Sequence, residues 1–65
     1  MYETLKAKLK EMGKTRHWLA RTSGIYSPDL YSALEGKKPL YPGWKKRIAE
    51  ALNASEDELF PESED

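Results

Sequence analysis

Glycines at positions 13, 24 and 36 each follow a short amphipathic stretch, and a helix-starting residue comes soon after each: Thr15, Ser27-Pro28 and Pro42. Glycine takes the left-handed conformation in which helices commonly end, while Ser and Thr accept an orphan backbone N–H at a helix start. This punctuation restricts the chain to short helices and excludes a long coiled coil. In Glu3 to Met12, Leu5, Leu9 and Met12 fall at i, i+4 and i+7 with lysines between them, which predicts one helix with those three residues inward. Thr15 is expected to cap a second helix running to about Ser23, with Leu19 and Ala20 inward. A third helix is expected to open with Ser27 as its cap and Pro28 at the first helical position, where the missing N–H would be unpaired anyway. Gly36 closes it.

The loop Lys37-Lys-Pro-Leu-Tyr41 is stiffened by Pro39 and Pro42. From Pro42, a fourth helix places Trp44, Ile48, Ala51 and Leu52 on one stripe, with Lys45, Lys46 and Arg47 on the other side. Ser55 and Glu58, three apart, form a capping box for a last short helix that carries Leu59 and Phe60 before Pro61. The expected class is all-α with five helices.

Sixty-five residues form one domain, and a chain this short buries roughly 60% of the surface its unfolded form exposes, so a large enclosed catalytic cavity is not expected. There is no cysteine and a single histidine, His17, with no carboxylates grouped around it; no metal or other cofactor is implied. Nothing supplies a nucleophile with its base, so an enzyme is not expected. No run approaches the ~18 apolar residues of a membrane span. The chain reads as cytoplasmic.

Eleven Lys or Arg balance eleven Asp or Glu, but six of the acids lie in residues 56–65. Residues 1–55 are therefore basic, a distribution compatible with phosphate binding or with a solvated surface and a solubilising tail. Ala20 and Gly24 stand four apart, between Leu19 and Ile25, with Leu30 and Ala33 beyond. Two helices joined by so short a turn cross steeply, which calls for a small side chain at the crossing and a residue that tolerates positive φ; Ala20 and Gly24 are expected to supply both.

Four stretches together resemble the lambda-repressor-like helix-turn-helix family of phage repressors, Cro proteins and XRE-type regulators: Leu5 to Ala20, Gly24 to Leu30, Leu34 to Leu40, and Lys46 to Phe60. The resemblance covers residues 3–60. It implies a DNA-binding domain over 1–60, followed by an acidic tail over 61–65 expected to lack order. Helices two and three form the helix-turn-helix, and the third enters the major groove of double-stranded DNA, usually as a homodimer on a two-fold-related site. Such a protein works in the cytoplasm at the nucleoid.

Carried over by position, Thr15 and Arg16 stand where a Thr-Gln pair approaches a phosphate, and Lys37 and Lys38 match the loop that touches the backbone. Ser27, Pro28, Asp29, Tyr31 and Ser32 match the groove-facing part of the third helix. Glu35 stands where Asn is common, and Trp18 where Glu or Gln is usual. No Arg, Lys, Asn or Gln lies on the expected reading face, so sequence preference would lean on tyrosines, water and DNA shape. Trp18, Tyr26 and Tyr41 are candidates for a protein-partner surface. Tyr26 and Tyr41 can equally cover the core edge beside Ile25 and Trp44. Two functions follow as expectations: a sequence-specific transcriptional regulator, or the same fold used to bind a larger regulator protein.

Overall fold

The computed structural model describes residues 2–61 and contains five helices and, among the described residues, no strand: α1 (Glu3–Met12), α2 (Arg16–Ser23), α3 (Ser27–Leu34), α4 (Pro42–Leu52) and α5 (Glu56–Leu59). The acidic tail expected from position 61 lies, beyond Pro61, outside the described residues. The radius of gyration is 10.4 Å, matching the ~10.7 Å expected of a folded chain this long. Among the described residues, no helix is long and apolar enough to cross a membrane.

The helix ends follow the local chemistry. Gly13 takes φ 71° and its N–H bonds Lys10 O at 3.0 Å, while the N–H of Lys14 reaches Leu9 O at 2.9 Å, so the orphan carbonyls of α1 are satisfied as the chain turns away. Thr15 Oγ1 accepts the N–H of Trp18 at 3.1 Å and caps α2. Ser55 does the same for α5 through Glu58. Asn53 ends α4 with φ 55°, a left-handed conformation that Asn tolerates better than most side chains.

At α3 the structure corrects the expected cap. Tyr26 occupies the cap position without a side-chain hydrogen bond, and Ser27 is already the first helical residue, with Pro28 after it. Starting one residue earlier lets the Tyr26 carbonyl accept the N–H of Leu30 at 3.0 Å. Pro28 has no N–H to leave unpaired.

The core is one cluster to which every helix contributes. α2 packs against both α3 and α4, and α5 packs against both α1 and α4. Leu5, Leu19, Leu30, Leu34 and Ile48 are fully enclosed, and burial of each such side chain contributes about 1.5–3 kcal/mol. Leu40, from the loop before α4, joins them. Met12, expected inward, is 37% exposed, because the helix ends there and the chain turns off at Gly13. On α4, Ala49 is buried and Ala51 half-buried, which shifts the inward stripe slightly from the expected one.

α2 and α3 are joined through Gly24, Ile25 and Tyr26. Ala20 is fully buried at the crossing, and its carbonyl accepts the N–H groups of both Gly24 and Ile25 at 3.0 Å. Gly24 has φ 76°, yet a Cβ built on it would meet no atom within 4 Å. Gly24 is thus needed for its backbone angle, not for its smallness. Gly24→Ala should therefore destabilise the fold by about 1–2 kcal/mol, whereas Gly24→Asn, with a similar lack of clash and a better tolerated left-handed angle, should lose less. Urea unfolding of both variants checks this; equal losses would mean that space, not φ, selects the glycine.

Candidate nucleic-acid interface

α3 buries Leu30, Ala33 and Leu34 against the rest of the molecule. Its other side carries Pro28 and Glu35, both exposed, and Ser32, half-buried, with Asp29 and Tyr31, also half-buried, at the flanks; Ser27, half-buried, starts the helix nearer the side of Leu34. A period of about 3.6 residues gives this placement.

The three cations expected to anchor phosphates all come to this surface, and each meets a partner on or beside α3. Lys38 Nζ lies 2.7 Å from Asp29 Oδ1. Lys37 Nζ is 3.5 Å from Glu35 Oε1, and Arg16 Nη1 is 3.9 Å from Glu35 Oε2. The Arg16 guanidinium also sits over the Tyr31 ring, 5.0 Å from its centroid. The cations are thereby spread along α3 from its first turn, at Asp29, to its end, at Glu35.

The backbone turn after α3 explains the pairing. The N–H of Gly36 bonds Ala33 O at 3.0 Å and that of Lys37 bonds Ser32 O at 2.9 Å, with Gly36 at φ 87°. This reversal folds the chain back along the helix, so Lys38, nine positions after Asp29, returns to its first turn. The hydrogen bond and charge of Asp29 hold the Lys38 ammonium above the usual lysine pKa. In the remaining pairs Arg16 and Glu35 are about half exposed and Lys37 more so, and the pairs orient their side chains more than they stabilise the fold.

Thr15, expected near a phosphate, uses its hydroxyl oxygen to cap α2, which leaves the hydroxyl hydrogen free to donate outward. Of the residues expected to meet a protein partner, Trp18 is not a freely exposed side chain: it is half-buried against the core, and Lys14 Nζ lies over its ring at 5.2 Å. Tyr26 is 72% exposed and does not cover the core edge. Tyr41, 48% exposed, does lie on Trp44, edge to face, with ring centroids 4.7 Å apart.

Three features were not foreseen. The carboxylates of Asp29 and Glu35 hold the neighbouring cations; the glycine turn at 36 was the available signal, since it returns the lysines to the helix. Arg47 Nη1 donates to Gly24 O at 3.5 Å and ties α4 to the turn between α2 and α3. Lys14, between two helices, becomes part of the basic surface.

No family model, curated protein or solved structure matches the chain. Its functional reading rests on its own residues.

The pairing has a direct spectroscopic consequence. In Asp29→Asn, the Lys38 ammonium should titrate at lower pH than in the parent chain, returning to the ordinary lysine range. The contribution of this pair to the folded state is fully present below that range and is lost as pH rises through the raised Lys38 pKa. Lysine side-chain NMR across alkaline pH measures both; an unchanged Lys38 titration in the variant would rule out the Asp29 contact in solution.

Proposed function

We propose that the chain is a sequence-specific DNA-binding transcriptional regulator of the lambda-repressor-like kind, with α2 and α3 as its helix-turn-helix and α3 in the major groove. The observation that carries this reading is the set of three cations beside the outward side of α3: Lys38 held by Asp29 in its first turn, and Arg16 and Lys37 held by Glu35 just past its end. Such an arrangement suits a groove whose two walls are lines of phosphate. A homodimer on a two-fold-related site, acting at the nucleoid, completes the proposal.

Within it, Tyr31 and Ser32 meet base edges and sugars from the middle of the helix, and Ser27 and Pro28 lie at the groove-entering end. Asp29 can accept a hydrogen bond from a cytosine amino group. Lys38 offsets the repulsion that this carboxylate would otherwise meet from nearby phosphates. None of the five offers the paired hydrogen bonds by which Arg reads guanine or Asn reads adenine, so much of the preference comes from DNA shape and bridging water.

A second reading is favoured by one specific observation. Tyr26, at the start of α3, is 72% exposed, and an exposed Tyr beside a helix whose charges are locally paired suits a protein partner. Capture of the same partner before and after nuclease treatment separates the two readings, since only a protein-mediated complex survives loss of DNA.

Selection on random duplexes should enrich a two-fold-related sequence. On one half-site of it, the logarithm of affinity should fall against the logarithm of salt with a slope of at least about −3, at ~0.9 per phosphate contact. Arg16→Gln should make that slope shallower by about one contact, and Tyr31→Ala should weaken binding while leaving the slope nearly unchanged. A flat salt response on the enriched sequence defeats the proposal.

A further inference from the structure

A second basic surface lies outside the α3 face. Lys6, Leu9, Lys10, Lys14 and Arg16 line an open groove of about 420 Å³ between α1 and the start of α2. Four of the five lining residues are cations, and no carboxylate is among them. We infer that this groove is a second phosphate track, which binds the backbone of duplex DNA and is continuous through Arg16 with the α3 surface. The inference rests on the reading of the chain as a DNA-binding protein and extends its footprint to α1.

The local structure accounts for the row. Lys6 and Lys10 stand one turn apart on α1, about 6 Å along its axis, and both are exposed. Gly13 turns the chain so that the Lys14 N–H bonds Leu9 O at 2.9 Å, which brings Lys14 to the same groove. Two of the cations are braced on aromatic faces, Lys14 over Trp18 at 5.2 Å and Arg16 over Tyr31 at 5.0 Å. A ring holds a cation in place without cancelling its charge; the Lys14 ammonium stays available to an anion, while Arg16 also lies 3.9 Å from Glu35 Oε2. At Lys6, Lys10 and Lys14 the groove differs from the α3 surface, where Asp29 and Glu35 offset part of the charge of Arg16, Lys37 and Lys38.

The shape of the cluster selects the ligand. A single bound ion would call for convergent donors, whereas these cations are strung along a groove, as a polymer with regularly spaced charges requires. An anionic membrane surface also attracts lysines, but stable docking there needs apolar side chains to enter the lipid. The apolar lining residue here, Leu9, is only 4% exposed. Arg16 belongs both to the groove and to the α3 surface, so one DNA backbone can follow the two in sequence.

The test is fluorescence anisotropy with a mixed-sequence DNA duplex over a range of potassium chloride concentrations. It compares the parent chain, a Lys6→Gln/Lys10→Gln/Lys14→Gln variant, a Tyr31→Ala/Ser32→Ala variant and a Lys6→Arg/Lys10→Arg/Lys14→Arg variant. The glutamine variant should lose roughly tenfold or more in affinity at low salt, with a slope shallower by about 2 to 3. The arginine variant should retain both. Each single glutamine variant should remove close to one contact from the slope, which keeps the inference testable if the triple variant proves unstable by thermal melting.

Unchanged affinity and slope in the glutamine variants overturn the track; if the Tyr31/Ser32 variant is weakened in the same assay, the α3 reading stands without it. Loss in the glutamine variants alone supports the track and counts against α3 as the groove reader. Failure of the parent chain to bind the duplex, with or without binding to phosphatidylserine vesicles, overturns the track together with the DNA reading.

Discussion

At Gly24 the chain reverses in the left-handed region, and the placement of the elements around it follows from that turn. The Ala20 carbonyl takes two N–H groups at the end of α2, Ile25 drops into the core directly afterwards, and α3 begins two residues later. Because Leu30, Ala33 and Leu34 must then face inward, the rotation of α3 about its own axis is fixed, and with it the residues left outside. Arg47 donates to the Gly24 carbonyl from α4, so the same turn is tied to the helix that packs most directly on α2. A backbone angle that few side chains tolerate thus decides which face the molecule presents.

On that face, charge is organised rather than accumulated. The zero net charge of the chain conceals a basic body, and around α3 the cations are matched locally by Asp29 and Glu35. Half-exposed pairs of this kind add little stability, because water and salt screen them. Their effect is on geometry: a long flexible lysine or arginine that is already oriented gives up less rotamer freedom when it meets a second anion. The opposing effect is that a carboxylate beside the cation repels that anion. Asp29 and Glu35 therefore improve placement while lowering the attraction, in contrast to Trp18, whose ring orients Lys14 and leaves its charge uncancelled; Arg16 meets both the Tyr31 ring and Glu35.

Helix boundaries were legible in the sequence wherever a side chain or a glycine settles orphan backbone groups locally, as at Thr15, Ser55, Gly13, Gly24 and Gly36. They were misread by one residue at Ser27, where Tyr26 caps through its backbone alone and leaves no side-chain signature. Met12 had the right period for the core but lies where α1 runs out of neighbours, which is a tertiary fact. The inward set of α3 followed from periodicity, whereas the pairing of Asp29 with Lys38 depends on a loop path that closes over nine positions. The Lys6 and Lys10 stripe is visible as an i, i+4 pattern; that Lys14 and Arg16 join it could emerge only once the turn at Gly13 was placed in space.

These surfaces together bear on how the proposed DNA reading would divide affinity from discrimination. A helix that offers two serines, a proline, a tyrosine and a salt-bridged aspartate has no bidentate reader, so each base contact it makes separates the four bases weakly. In that reading, phosphate contacts from Arg16, Lys37 and Lys38 would carry no sequence information of their own but would fix the register in which α3 enters the groove. Discrimination must then come from how readily a given sequence adopts the backbone path that those fixed cations require. The more positions at which the backbone is held, the more its path is constrained, and the greater the deformation energy by which a stiff sequence differs from a compliant one. A row of cations on α1 beside α3 would therefore add to sequence preference without touching a base.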